Sequence, residues 1–267
     1  MEKESKLVVV KSNEVISSSY RLSLNEQRII LTCISKIDST SELTKEQGVT
    51  IRVDEIKDLL VKTRSDTGSF YNDLKTATDK LYERSIVLDG EGSKRRWVYE
   101  VKYNHTEGSI TLFFSPTIIP YLSELKGNFT KYKLENIANF KSAHSIRIYE
   151  LLCQWSFIGE REIELEELKK LLGLEDKYTY RPANFIRRVI DVAKNDINNH
   201  SNIHLEYGLR KTGRKITHIQ LKFDMKKSKK RKKSAENTGN ITDFVRNNEK
   251  LTRGKSEWEI KRLMNKK

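Results

Sequence analysis

The chain has 267 residues, a formal net charge of +14 and 36% hydrophobic residues, enough apolar material for one large domain or two ordinary ones. Its 3 Pro, 12 Gly and 2 Cys exclude a collagenous or disulfide-stapled chain. No apolar run approaches the roughly 18 residues that a membrane span requires.

The first six residues carry both charge signs, and the apolar stretch behind them, Leu7-Val-Val-Val10, falls short of the about 7–15 residues of a secretory signal. The expected compartment is therefore the cytoplasm, with no membrane partner. Cys33 and Cys153 read as buried free thiols there. Ser23-Leu-Asn-Glu26 is a capping box. The helix it opens is expected to run to about Ile37, with Ile30, Ile34 and Ile37 in one stripe.

An internal repeat follows. Ile51-Arg-Val-Asp-Glu-Ile-Lys-Asp-Leu-Leu60 aligns with Ile163-Glu-Leu-Glu-Glu-Leu-Lys-Lys-Leu-Leu172 at an offset of 112, and five apolar positions coincide. Each copy alternates like a short strand and then takes helical spacing, with Asp54 or Glu166 in the first turn, where the helix dipole favours a carboxylate. In the first copy a second helix is expected over Phe70–Arg84, capped by Ser69, with Phe70, Leu74, Ala77 and Leu81 inward. Two alternating strands come next, Trp97–Tyr103 and Ser109–Phe114, turned at Glu107-Gly108. Linking helices are expected over Ser115–Leu125 and Ser142–Trp155. The latter is apolar nearly all round and so is expected to lie buried between domains.

In the second copy, Pro182 suits a first-turn position. The helix behind it is expected to reach about Asn198, with Phe185, Val189, Val192 and Ile197 inward. Strands at Ile203–Leu209 and Ile216–Phe223 then flank a turn at Thr212-Gly213. Strand, helix, helix and hairpin appear twice, which gives an α+β fold of two tandem winged-helix domains related by internal duplication, with a basic tail. The boundaries read as 1–158, 159–225 and 226–267.

The charge is uneven. Residues 1–160 hold 23 basic and 22 acidic side chains, residues 161–225 hold 13 and 10, and residues 226–267 hold 15 and 5. The run from Lys226 to Lys233 has seven basic residues in eight and is expected to resist packing. It reads either as a solvated tail or as an arm that attracts phosphates. A short helix near Ser256–Met264, with Trp258 and Leu263, is expected at its end.

Enzymatic chemistry is missing from the sequence. Gly254-Lys255-Ser256 has no Gly five residues earlier, as a phosphate-binding loop needs; position 249 is Glu. No two of the five His are separated by one residue, the spacing of the metal pair in nicking initiators. His200 and His204 sit at an expected helix end, and two Cys 120 residues apart make no zinc site. No catalytic residue, cofactor or metal is expected.

A major-groove helix needs long donors on its outward face and a wing on the backbone. Arg181, Asn184, Arg187, Arg188 and Asp191 lie opposite Phe185 and Val189, with Lys194 beyond them. The hairpin tip, Arg210-Lys211-Thr-Gly-Arg214-Lys215, is basic and Gly-turned, and Tyr178 and Tyr180 stand ready to bond phosphates. The bland reading is a solvated basic face; helix and wing both being basic favours double-stranded DNA. The first copy is weaker. Asn72, Asp73, Lys75, Thr76 and Asp79 mix signs, which suits protein contact, while the expected loop carrying Lys94, Arg95 and Arg96 suits auxiliary phosphate contact.

Five ordered segments carry a resemblance over about residues 8–224. They are Tyr20-Arg-Leu-Ser-Leu-Asn-Glu-Gln-Arg28, Phe129-Thr-Lys-Tyr-Lys-Leu134, Ser145-Ile-Arg-Ile-Tyr-Glu-Leu-Leu152, Asn184-Phe-Ile-Arg-Arg-Val189 with Asn195-Asp-Ile-Asn198, and Thr212-Gly-Arg-Lys-Ile-Thr-His-Ile219. Together they resemble the iteron-binding plasmid replication initiators, the Rep proteins with paired winged helices. The resemblance implies binding to direct repeats at a plasmid origin, duplex opening, and recruitment of a host initiator and replicative helicase. It also implies copy control through a homodimer that represses its own gene. The second winged helix would be the main reader, through Arg181, Arg187, Arg188, Lys211, Arg214 and Lys215, and the first would carry the dimer contact. A plain winged-helix transcriptional regulator, with no initiation role, is the alternative.

Overall fold

The structure, a computed structural model, describes residues 7–60, 67–88, 93–175 and 182–226. Tyr178, Tyr180, Arg181 and the basic tail beyond Lys226 lie outside the described residues. The chain opens with β1 (Val8–Ser12), α1 (Asn13–Ile16), β2 (Ser19–Tyr20) and α2 (Leu24–Ile34). The capping box forms as expected. Ser23 Oγ accepts from Glu26 N at 3.3 Å, and Glu26 Oε2 accepts from Ser23 N at 2.9 Å. Glu26 also does something the spacing does not reveal: fully buried, it takes both arms of Arg84 at 3.0 and 3.1 Å. The helix stops at Ile34, before the expected Ile37. Ser35 Oγ bonds the Thr32 carbonyl at 2.7 Å, and the Lys36 and Ile37 amides reach back only three residues, so the last turn tightens and ends.

The first repeat unit comprises β3 (Val49–Arg52), α3 (Val53–Leu60) and α4 (Thr67–Tyr82). It continues through β4 (Ser85–Val87), β5 (Lys94–Arg96), β6 (Val98–Asn104) and β7 (Ser109–Phe114). Because α4 begins at Thr67, Ser69 stands inside it and cannot be its cap. Leu74, Ala77 and Leu81 are buried as expected; the side chains of Leu59, Leu60 and Phe70 are not among those described. No helix forms over Ser115–Leu125. Pro120 has no amide hydrogen, and the segment makes a 3-10 turn at Ile119–Tyr121 instead. Glu124, at φ 52°, then turns the chain away, and Leu125 N bonds the Ser39 carbonyl at 2.8 Å.

β8 (Phe129–Lys133) and α5 (Ala143–Gln154) lead to the second unit: β9 (Glu160–Glu164), α6 (Leu165–Leu171), α7 (Pro182–Phe185), a π-helical turn (Ile186–Ile190), α8 (Asp191–His200), β10 (Ile203–Thr212) and β11 (Lys215–Met225). The sheets bear out the duplication. In the first unit the order is β3-β7-β6 and in the second β9-β11-β10, so the leading strand always pairs with the far strand of the hairpin. Ile51 faces Ile110 in one and Ile163 faces Ile219 in the other, all buried. The fold is two winged helices on one continuous core. Outside the repeat, β1 pairs with β8, and β2, β4 and β5 form a further sheet. None of the described helices is long and apolar enough to cross a membrane.

α5 is buried, but not as an apolar rod. Arg147 and Glu150 are each 1% exposed and pair at 2.8 Å. Lys11 of β1, equally buried, pairs with Glu150 at 2.6 Å. Tyr132 Oη donates to Glu150 Oε1 at 2.6 Å, and Arg147 Nη1 donates to Tyr20 Oη at 2.6 Å. Arg147 Nη2 reaches the carbonyls of Ile16 (2.8 Å), Ser18 (3.0 Å) and, in α6 of the second unit, Leu171 (3.4 Å). Burial works against the charge on Glu150, but the adjacent Lys11 and Arg147 cations outweigh it and hold the carboxyl below its usual range. A second clasp joins the units near the end of α8: buried Asp196 accepts from Lys141 N at 2.9 Å, while Arg28 bonds the Ala138 and Phe140 carbonyls.

Candidate nucleic-acid interface

The second unit presents a continuous helix, α7 through α8, that begins on Pro182, whose fixed φ suits a first turn. Phe185, Ile186, Val189, Ile190, Ala193 and Ile197 are all buried, and Val192 is half-buried. The inward pairs at 185–186 and 189–190 recur every four residues, and the wide π turn accommodates both. Arg187 and Arg188 fill the gap between them and are exposed. Neither pairs with a carboxylate among the described residues. Asn184, one turn earlier, is half-buried.

The hairpin of β10 and β11 is the wing. Thr212 faces Lys215, leaving Gly213-Arg214 as a two-residue turn, and Gly213 has φ +61°, the sign that a II′ turn asks of its first central residue. Lys211, Arg214 and Lys215 are exposed and also have no carboxylate partner among the described residues. Arg210 differs: a break in register separates it from Lys211, and it pairs with Glu162 of β9 at 2.9 Å. The wing runs back along the helix toward its Arg187 end. Asn198 holds Leu205 near the hairpin's base, and Asp191 meets Tyr207 two residues further up. Five exposed cations without a carboxylate partner among the described residues are therefore divided between the helix and the hairpin of the second unit, the two elements that a winged helix uses on a groove and on the backbone.

Other expected contacts are placed differently. Lys94, Arg95 and Arg96 are not in a loop; they form β5, paired with β4. The preceding strand β4 supplies the pairing, which a basic run by itself does not signal. Arg96 bonds the Tyr82 carbonyl at 2.6 Å and Glu83 at 2.9 Å, and Arg95 bonds Tyr121 Oη at 3.1 Å, so both are braced within the fold while Lys94 stays exposed. Asp191 and Lys194 are engaged as well, with Tyr207 and Glu206. Among the described residues no group of His, Cys, Asp and Glu could hold a metal ion.

Two helix-and-wing units, the second carrying exposed basic residues on both helix and wing, make this a paired winged-helix protein. The family model described as "Initiator Replication protein, WH1" matches residues 8–153, and "Initiator Rep protein, WH2" matches residues 164–223, so the chain belongs to this family of replication initiators. It is 31% identical over 213 residues to a replication initiation protein of Escherichia coli, a match that covers 75% of this chain and 65% of that protein's length. It is 22% identical over 223 residues to an uncharacterized 27.6 kDa protein of Escherichia coli, covering 78% of this chain and 92% of that one. Its fold is similar to the crystal structure of Pi initiator protein in complex with iteron DNA, with a TM-score of 0.70, 23% identity, and coverage of 84% of this chain and all of that one.

Proposed function

We propose that this protein acts in the cytoplasm as a plasmid replication initiator that binds direct repeats at an origin without catalysing a reaction itself. Residues 159–225 are the main reader. Arg187 and Arg188 address base edges and Lys211, Arg214 and Lys215 grip phosphates, and Tyr178, Tyr180 and Arg181, which precede the helix in sequence, add further DNA contacts. Residues 1–158 carry the contact of a homodimer that represses the protein's own gene, with auxiliary phosphate contact at Lys94. Duplex opening and recruitment of a host initiator and replicative helicase follow binding. The observation that carries this reading is the set of five exposed cations, without a carboxylate partner among the described residues, divided between one helix and its wing. Its support is membership of the initiator family and the likeness to a protein solved on iteron DNA.

A footprint of the purified protein on DNA flanking its own gene tests it. Protection recurring at a fixed interval over direct repeats is the expected result; protection of a lone inverted repeat would leave a transcriptional regulator. The basic run from Lys226 to Lys233 is proposed as a phosphate arm. Each phosphate contact contributes about 0.9 to the slope of log K against log salt. Removing residues 227–267 is therefore expected to lower affinity for random DNA and make that slope shallower by several units. An unchanged slope would show that the tail takes no part.

A further inference from the structure

The reading helix carries one exposed carboxylate, Asp191, in line with the groove-facing residues. Its partner is not solvent. Tyr207 Oη donates to Asp191 Oδ1 at 2.5 Å, across from helix to hairpin. Lys194 Nζ stands 5.8 Å from the Tyr207 ring centroid and pairs with Glu206 at 2.5 Å. Asn198 takes the Leu205 backbone both ways, accepting from its amide at 2.6 Å and donating to its carbonyl at 2.9 Å. Residues 191, 194 and 198, spaced three and four apart on one helix face, thus hold the consecutive residues 205–207 of the wing strand.

The first unit contains the same device. Tyr103 Oη donates to Asp79 Oδ1 at 2.5 Å, and Lys75 Nζ lies 5.4 Å from the Tyr103 ring centroid. Asp79 and Asp191 are 112 residues apart, the offset of the repeat. The tyrosines are 104 apart, and the lysines lie on opposite sides of their aspartates in sequence. The contact recurs even where the spacing does not, which marks it as a requirement of joining this helix to this hairpin.

We propose that Asp191 and Tyr207 are a positioning pair that sets the wing against the reading helix, so that Arg187 and Arg188 meet the groove while Lys211, Arg214 and Lys215 meet the backbone of the same duplex. This rests on the reading above, in which that helix and wing contact DNA. A free carboxylate on this face repels phosphate; bonded to Tyr207 it is turned along the helix toward the hairpin. Burial, with the bond to Asp191 added, pushes the Tyr207 phenol up to about 12, so it remains a donor at any pH used for binding. The rival role is a base contact, with Asp191 accepting from a cytosine amine.

The test is titration of full-length Tyr207→Phe, Asp191→Ala and Asp191→Asn against the footprinted duplex and against random duplex over a salt series, with Arg187→Ala alongside. Loss of one such bond is worth roughly tenfold in binding. Tyr207→Phe and Asp191→Ala are expected to lose about that on the footprinted duplex. Their salt slopes should become shallower by about 2–3 units as the three wing cations fall out of register. Asp191→Asn keeps an oxygen that accepts from Tyr207, and is expected to retain both the wild-type slope and the wild-type base preference. A shifted base preference in Asp191→Asn, or a wild-type slope in Tyr207→Phe, overturns the positioning role. Unchanged specific binding by Arg187→Ala would bring down the reading of the helix itself, a separate outcome.

Discussion

Glu150→Gln is expected to cost about 3–5 kcal/mol of folding stability, the range for breaking a buried ion pair from one side. The substitution is isosteric, so packing is not what fails. It leaves Lys11 and Arg147, both 1% exposed, facing each other without an anion, and it turns one carboxylate arm into a donor aimed at a donor. Lys11→Met is the informative companion. It removes the surplus positive charge and leaves Arg147 and Glu150 as a one-to-one pair still bonded to Tyr20 and Tyr132. Its cost is expected to be well under half that of Glu150→Gln. Urea unfolding midpoints measure both, and equal losses would mean that shape rather than charge balance governs the cluster.

The pH dependence has a definite sign. The folded Glu150 carboxyl lies below its ordinary value of 4.5. Its contribution is therefore fully present above that value and is lost as pH falls from about 4.5 through the folded pKa, where the unfolded chain takes up the proton first. Glu150→Gln should flatten this part of an acid-unfolding curve.

None of this cluster was legible in the spacing. Arg147 and Glu150, three apart in an otherwise apolar helix, look like a pair on a narrow wet face. Their partners Lys11 and Tyr20 lie more than 120 positions away, and no local pattern announces a contact at that range. What could be read was whatever is encoded locally. The capping box, the Gly-turned hairpins and the inward stripe of the helix behind Pro182 each follow from a local period or turn, and the repeat follows from two such local patterns matching at an offset of 112. β5 escaped because its order comes from a partner strand, and the expected helix at Ser115–Leu125 failed on one proline. Three of the five segments that carried the family resemblance fall largely on interior polar residues: Tyr20, Glu26 and Arg28, then Tyr132, Arg147 and Glu150; the other two are the helix behind Pro182 and the hairpin tip. The first three mark the scaffold that joins the two winged helices, where Arg147 of α5 reaches the Leu171 carbonyl of α6.

Arg187 and Arg188 give the sharpest test of the proposed function. Each is exposed and has no ion pair to surrender among the described residues, so binding DNA breaks nothing in the protein first. An arginine bidentate to guanine is worth about 1–3 kcal/mol of discrimination, so Arg187→Ala or Arg188→Ala is expected to weaken the footprinted site by roughly 5–150-fold while leaving the unfolding midpoint in place. Random DNA should lose only one phosphate-sized increment. Lys211→Ala and Lys215→Ala, at the wing, are expected to weaken both DNAs alike. Arg210 and Lys194 should matter less than Arg187, because each must first leave a carboxylate, at 2.9 Å on Glu162 and 2.5 Å on Glu206. Competition binding against single-base variants of the site separates these cases. If Arg187→Ala loses equally on specific and random DNA, the helix grips phosphate and the sequence is read elsewhere; if it relaxes preference at one base pair only, that base pair is its contact.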